Sequence, residues 1–185
     1  MSDVKEMKDR LFLKRKNGLS GADNEAVQSF TDGYKEFLGA AKTERLAVKE
    51  AVKLAKEHGF TEFDPKAKYA AGDRVYLNNR EKSLALAVIG TEPVENGTRI
   101  AAAHIDSPRL DLKPNPLYED NELALFKTHY YGGIKKYQWT TVPLALHGVF
   151  CKKDGTTIEV SIGEEPDEPC FVVTDLLPHL AQDQY

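Results

Sequence analysis

The stretch RIAAAHIDSPRLDL, residues 99–112, decides how the rest of the sequence is interpreted. An apolar run leads into His104 and Asp106, and a Ser-Pro pair ends it. The pattern predicts a buried strand over residues 99–105. Side chains at i and i+2 share one face of a strand, so His104 and Asp106 would lie side by side at its end. Ligands collect at the C-terminal ends of strands in open α/β sheets, which makes this pair the leading candidate for a functional site.

Several interpretations of the pair are compatible with its spacing. A histidine that binds a metal is usually held through its other ring nitrogen by a carboxylate or a carbonyl, so Asp106 would orient His104 as a metal ligand. A serine hydrolase that uses Ser107 is disfavoured, because the members of a catalytic triad come from separate segments. A purely structural His-x-Asp pair stays open on spacing alone.

The composition is that of an ordinary globular protein and argues against several function classes. Hydrophobic residues make up 41% of the 185 residues and charged residues 29%. The net charge of −4, without a long basic stripe, argues against nucleic acid or an anionic membrane surface as a partner. The charged N-terminus has no secretory apolar region, and the longest near-apolar run, residues 84–90, falls short of the roughly 20 residues that a membrane span needs. We expect a soluble cytoplasmic protein in which Cys151 and Cys170 are buried free thiols rather than a cross-strand disulfide.

The first 60 residues are predicted to be helical. Apolar residues recur at helical spacing over residues 24–41, and a second helix follows with Thr43 as its N-cap and Gly59 just past its end. His58 lies in the last turn of that helix, where we expect it to cap the C-terminus rather than to bind a ligand.

The hydrophobic period changes to two after Gly72. Strands are predicted at residues 73–79, 83–90 and 99–105, and the last two are apolar on both faces, as in the middle of a sheet covered by helices. After Pro108 short strands dominate, and Asp154-Gly155 predicts a hairpin. The fold class that follows is α/β.

Several short motifs occur in a fixed order that is more specific than any one of them. They are Ala103-His104-Ile105-Asp106-Ser107-Pro108, Lys113-Pro114, Tyr131-Gly132-Gly133 and Trp139. From about residue 20 onward the sequence resembles the M18 family of zinc aminopeptidases, which includes the aspartyl aminopeptidases and the aminopeptidase I group. The resemblance implies the N-terminal part of an α/β/α zinc-peptidase core over residues 1–109, followed by a β-rich insertion (dimerisation) domain over residues 110–185.

The resemblance also implies an activity, a cofactor and site residues. Members remove N-terminal residues from peptides with water activated by two zinc ions, and the sequence does not distinguish zinc from another divalent metal such as cobalt or manganese. By resemblance His104 is a zinc ligand, Asp106 is catalytic, and His179 of the Pro-His-Leu segment binds substrate across a subunit interface. The implied assembly is a homo-oligomer of dimers that form a dodecamer. A third Gly and a Trp that often follow Tyr-Gly-Gly in aspartyl-type members are missing, which leaves a preference for acidic N-terminal residues open.

A dinuclear zinc site needs more than one histidine. It requires a bridging carboxylate, further ligands and a general base, and no such cluster is evident in residues 1–185. We therefore expect the sequence to be the N-terminal portion of a peptidase and to be inactive by itself. The alternative is a non-catalytic oligomerisation or binding module in which His104 is vestigial.

The other polar residues of the second half are expected to be structural. His129 and His147 lie among apolar neighbours without an acidic residue at a useful spacing, so we expect them to pack or to form cross-strand hydrogen bonds. Lys135 and Lys136 are expected at a solvated hairpin tip.

Overall fold

The structure of the protein is a computed structural model that describes residues 2–12 and 17–182. Its contacts divide the chain into two compact units, Met1–Pro93 and Val94–Tyr185. The helices are α1 (Ser2–Leu11), α2 (Asn24–Ala40) and α3 (Glu44–Glu57). The strands are β1 (Thr61–Glu62), β2 (Arg74–Asn79), β3 (Ser83–Val88), β4 (Arg109–Asp120), β5 (Leu123–Tyr131), β6 (Leu146–Cys151) and β7 (Thr157–Ile162). This mixture is consistent with the predicted α/β class, while the division at residues 109/110 stays a prediction.

The helix signals in the sequence are confirmed at both ends of α3. The Thr43 hydroxyl accepts a hydrogen bond from the Leu46 amide at 3.3 Å, as an N-cap does. His58 follows the helix, and its Nδ1 lies 2.9 Å from the carbonyl oxygen of Leu54. Gly59 has a φ of +79°, the left-handed conformation that ends a helix. The prediction that His58 caps this helix is therefore confirmed.

The core of the first unit is formed by α3 and β2. Its buried side chains are Ala47, Val48, Ala55, Val75 and Tyr76. Val48 is 1% exposed and is the most deeply enclosed of them. The side chains of Val75 and Tyr76 point to opposite faces of β2, so both faces of this strand are covered at that point.

The sheet of the first unit has the order β1-β2-β3, with β1 parallel and β3 antiparallel to β2. Residues 80–82 connect β2 to β3, and Arg80 and Glu81 have φ values of 57° and 59°, a left-handed pair that suits the twist of a tight hairpin. We predicted β3 as a central strand, but it lies at the edge of this sheet. Leu86 and Val88, which share one face of β3, are 51% and 60% exposed, so the described part of the chain does not cover that face.

The predicted strand over residues 99–105 is wrong for this structure. Residues 97–108 adopt no regular secondary structure, and Ile100 is 84% exposed. A strand requires a neighbour for its backbone N–H and C=O groups, and the part of the chain that the structure describes pairs no strand with this segment. Apolar residues on both faces are therefore not sufficient to form a strand here.

The second unit is built from two hairpins. Strand β4 pairs antiparallel with β5, and the register shifts between Leu112 and Leu117. Strands β6 and β7 pair across the predicted Asp154-Gly155 turn, where Gly155 has a φ of +87°. Single bridges then join Thr140 to Val173 and Leu144 to Phe171, just before a 3-10 helix at Pro178–Leu180.

The two cysteines differ in part from expectation. Both are free thiols, as predicted, but Cys151 and Cys170 are exposed rather than buried. Cys151 is the last residue of β6, where the hairpin reaches solvent. Among the described residues, no helix is both long and apolar enough to cross a bilayer.

Candidate active site

His104 and Asp106 are in contact, although the strand predicted to carry them is not formed. His104 Nδ1 lies 3.0 Å from Asp106 Oδ1 and 3.0 Å from the backbone oxygen of Asp106. Both neighbours are acceptors, so Nδ1 carries the ring hydrogen and donates it. The lone pair of the neutral imidazole is then on Nε2, which is the arrangement of a histidine prepared to bind a metal ion.

His104 faces solvent, whereas Asp106 is partly enclosed. The side chain of His104 is 85% exposed and that of Asp106 is 37% exposed. Since the imidazole has so little packing around it, its orientation depends on its hydrogen bonds to Asp106. The orienting role predicted for Asp106 agrees with these contacts, while the metal and catalytic roles of the pair stay predictions.

Asp106 is itself held by Tyr131, a site residue that the motif spacing did not reveal. The hydroxyl of Tyr131 donates a hydrogen bond to Asp106 Oδ2 at 2.5 Å. This bond is the main cause that lowers the pKa of Asp106, followed by a backbone hydrogen bond and by His104. The carboxylate is therefore ionised at neutral pH, and each of its oxygens accepts a hydrogen bond from a different side chain.

The β4–β5 hairpin brings Tyr131 to this place. Arg109, the first residue of β4, is the cross-strand partner of Tyr131, the last residue of β5. The Arg109 guanidinium carbon lies 4.1 Å from the centre of the Tyr131 ring, a cation–π contact, and Arg109 Nε donates to Asp111 Oδ1 at 2.7 Å. Tyr131 is thus fixed from the strand ladder and from the face of its ring.

Gly132 of the Tyr-Gly-Gly motif also lies close to Pro108, which follows the His-x-Asp motif by two residues. Gly132 has a φ of +77°, and a Cβ atom placed there would be 3.5 Å from Pro108. The glycine therefore lets the chain leave β5 in a left-handed turn beside the Ser-Pro pair that follows Asp106. The His-x-Asp and Tyr-Gly-Gly motifs therefore form one local structure, although Asp106 and Tyr131 are 25 residues apart in the sequence.

The described side chains at this site provide one ligand for a zinc ion. An imidazole with a fixed Nδ1–H and an open Nε2 fits a zinc ion. Within residues 2–12 and 17–182, however, no group of three or more His, Cys, Asp or Glu residues could hold a metal ion. His104 would have to share the ion with donors from elsewhere.

The third predicted site residue lies on a separate segment. His179 is in the short 3-10 helix Pro178–Leu180 and is exposed. Its segment follows the bridges that join Phe171 and Val173 to residues 140–144. Its role toward a substrate stays a prediction.

His147, His129 and Lys135 lie in three different local environments. His147 Nε2 lies 2.6 Å from Glu164 Oε1, so an acidic partner that the local sequence spacing did not reveal reaches it from beyond β7. His129 is exposed, and its ring stacks on Tyr130 with 5.5 Å between ring centres. Lys135 directly precedes the 3-10 helix Lys136–Gln138 rather than standing at a hairpin tip.

Comparison with known proteins agrees with the resemblance seen in the motifs. Residues 37–185 match the family described as aminopeptidase I zinc metalloprotease (M18). The chain belongs to the M18 family. Members of this family are peptidases, and the family description supports zinc as the metal.

Two bacterial M18 proteins are among the most similar. The probable M18 family aminopeptidase 1 of Clostridium acetobutylicum is 49% identical over 96% of this M18 chain and 40% of its own length. The crystal structure of the M18 aminopeptidase from Thermotoga maritima superimposes with a TM-score of 0.83 at 47% identity, covering 92% of this chain and 38% of that one. This M18 chain therefore spans about two fifths of the length of the relatives it matches.

A more distant structure shows the fold alone. The mApe1 dodecamer of S. cerevisiae gives a TM-score of 0.66 at 16% identity, over 86% of this chain and 37% of that one. This M18 chain and the yeast structure thus share a mixed helix and strand fold, although their sequences are only 16% identical.

Proposed function

We propose that this M18 chain supplies the His104–Asp106 segment of a zinc aminopeptidase that removes N-terminal residues from peptides. The observation that carries the proposal is the contact of His104 Nδ1 with Asp106, which leaves Nε2 open in a chain of a zinc-peptidase family. His104 would be a ligand of one of two zinc ions, and Asp106 would fix its tautomer and increase its basicity.

The chain's own residues account for the first part of such a site. When bound, a zinc pair polarises the scissile carbonyl and lowers the pKa of a bound water. His104 presents one nitrogen, Asp106 keeps the ring proton on Nδ1, and Tyr131 keeps Asp106 in place. The bridging carboxylate, the other ligands and the general base would come from residues outside this sequence, so we expect the 185-residue chain alone to be inactive.

The other roles follow the same proposal. Residues 1–109 would form the first part of the α/β/α core and residues 110–185 most of a β-rich dimerisation domain. His179 would bind substrate in a neighbouring subunit of a cytoplasmic homo-oligomer. The yeast mApe1 structure is that of a dodecamer, which supports a homo-oligomer, and its construction from dimers rests on the family resemblance.

A non-catalytic oligomerisation module is the second candidate. Its support is the apolar surface of the hairpins in the second unit, where Leu117 is 67% and Phe150 is 64% exposed. Such a module would use these side chains for assembly and would not need His104.

A chimera distinguishes the two candidates. The matching N-terminal region of the Thermotoga maritima enzyme is replaced by this chain, and zinc content and the hydrolysis of a peptide with a free N-terminus are measured. We expect an active chimera in which His104→Ala lowers both zinc content and kcat/KM, the latter by about 100-fold or more. The matched control His129→Ala changes an exposed histidine of the same unit and should leave both unchanged.

Two results would contradict the proposal. One is a folded chimera in which His104→Ala retains zinc and activity. The other is a folded chimera that assembles normally but neither holds zinc nor cleaves the peptide, which would favour the oligomerisation module.

A further inference from the structure

His104 lies in an exposed segment without regular structure, yet a zinc ligand has to be held in one orientation. Ligands work when their rotamers are locked by a neighbouring rigid element. The described contacts of the His104 ring lead to Asp106, and from Asp106 to Tyr131 on the β4–β5 ladder. The rigid element nearest to His104 along these contacts is therefore a hairpin, not the segment that carries the histidine.

His104 Nδ1 contacts both the backbone oxygen and the carboxylate of Asp106, and the carboxylate adds to the orientation of the ring only when the carboxylate itself is fixed. The terminal torsion of an aspartate is broad and roughly two-fold, so a carboxylate with one partner swings easily. Here Oδ1 contacts the His104 ring at 3.0 Å and Oδ2 accepts the Tyr131 hydroxyl at 2.5 Å. Because a different donor bonds to each oxygen, the plane of the Asp106 carboxylate is held in one orientation.

The donor that fixes Oδ2 is well supported. Tyr131 is paired with Arg109 in the ladder, carries the Arg109 guanidinium at 4.1 Å from its ring centre, and is followed by Gly132 against Pro108. A water molecule at Oδ2 could satisfy the carboxylate but would not hold its direction, because water is not attached to the fold. A phenylalanine would keep the ring contacts and remove only the donor.

We propose that Tyr131 is a positioning residue that holds Asp106, and through Asp106 the imidazole of His104, in the orientation that presents Nε2 to a metal ion. This inference rests on the proposed function only for the metal. The hydrogen-bonded series Tyr131–Asp106–His104 belongs to the metal-free chain and can be tested there.

The experiment is nuclear magnetic resonance of the purified 185-residue chain without metal, at a pH above about 8, where an ordinary imidazole is neutral. The nitrogen shifts of His104 report how much of the ring carries its hydrogen on Nδ1. Wild type should be mainly the Nδ1–H form, and Tyr131→Phe should lower the ratio of the Nδ1–H to the Nε2–H form by about twofold or more. Tyr130→Phe, the neighbouring tyrosine of β5, should leave the ratio unchanged.

A tautomer ratio that is the same in Tyr131→Phe and wild type, with the amide signals of β4 and β5 preserved, would overturn the proposal. If the substitution disturbs those amide signals, the wild-type spectrum decides instead. A nuclear Overhauser contact between the Tyr131 ring protons and the Asp106 β-protons would then support the proposal, and its absence would overturn it.

The result is independent of catalysis. A tautomer shift together with an inactive chimera would keep Tyr131 as a positioning residue and reject the peptidase proposal. An unchanged tautomer ratio together with an active chimera would reject Tyr131 as a positioning residue and support the peptidase proposal.

Discussion

His147 of β6 and Glu164, two residues past the end of β7, are joined by a 2.6 Å contact between Nε2 and Oε1. The His147 side chain is 13% exposed and that of Glu164 is 29% exposed, so solvent screens this pair less than a surface pair. The contact ties the end of the second hairpin to the loop that follows it. Its strength can be measured against an exposed pair of the same protein.

We expect a double-mutant cycle of His147→Ala and Glu164→Ala to give a coupling free energy of about 1–2 kcal/mol at neutral pH. The same cycle for Lys35 and Asp32, whose side chains are 64% and 53% exposed, should give about 0.5 kcal/mol or less. Denaturant unfolding of the single and double variants measures both. Equal coupling at the two sites would show that the enclosure of His147 has no energetic effect.

Glu168 closes the loop after β7 through backbone hydrogen bonds. Its carboxylate accepts the amides of Gly163 at 2.8 Å, Glu164 at 3.1 Å and Glu165 at 3.4 Å, and these bonds, that of Gly163 first, lower the pKa of Glu168 below its ordinary value of 4.5. A group with a lowered pKa stabilises the fold above its unfolded pKa, and this contribution is lost as the pH falls through the folded pKa.

Acidification to a pH below the ordinary glutamate pKa of 4.5 should therefore loosen this loop. We expect the amide proton of Gly163 to shift along a titration curve with its midpoint below 4.5, and Glu168→Gln to remove that curve. An amide signal of Gly163 that stays constant between neutral and acidic pH in the wild-type chain would contradict the prediction.

Gly163 and Gly155 provide a matched pair for backbone crowding. Both have positive φ values, +97° and +87°, but a Cβ atom at Gly163 would meet Pro169 O at 3.2 Å and the backbone of residues 144 and 145 at 3.3 Å. A Cβ atom at Gly155 would meet nothing within 4 Å. We expect Gly155→Ala to cost about 1 kcal/mol for its left-handed backbone, and Gly163→Ala to cost at least about 1 kcal/mol more. Unfolding free energies of the two variants check this, and equal losses would mean that the neighbours of Gly163 yield easily.

Thr141 is a β-branched residue in the left-handed region, with a φ of +62°. Its amide donates to the carbonyl of Val173 at 2.8 Å, which holds the conformation in place. Asparagine tolerates this region better and keeps the backbone N–H, so Thr141→Asn should raise the free energy of unfolding by about 0.5–1 kcal/mol. Thr140→Asn, at a position outside the left-handed region, should not. A lower stability of Thr141→Asn would show that the threonine side chain contributes more than its backbone strain removes.

Local signals in the sequence predicted local structure well. Thr43, Gly59 and the Asp154-Gly155 turn each act within a few residues, and each is found where it was predicted. Residues 99–105 failed because a strand is a relation between two segments, and apolar residues on both faces do not specify the partner. The edge position of β3 was not predicted for the same reason, because apolar residues on both faces of a strand do not specify which segments pair with it.

In the candidate site as well, the residues that are close in sequence were predicted and the contact between distant segments was not. His104 and Asp106 were found from their spacing, although they meet in an irregular segment and not in a strand. Tyr131 was missed because its place beside Asp106 depends on which residues of β4 and β5 face each other. That register is not a property of either strand alone.

The register shift in β4 decides the composition of the site. Between its two regular parts β4 contributes residues 113–116, where β5 contributes only Lys127. If the pairing at the turn, Asp120 with Leu123, continued without this surplus, Ile134 would stand opposite Arg109 and Tyr131 would stand opposite Leu112. The Lys-Pro segment thus acts as a spacer whose length sets the phase between the two strands. A deletion there would exchange the partner of Arg109 without altering any residue of the site itself.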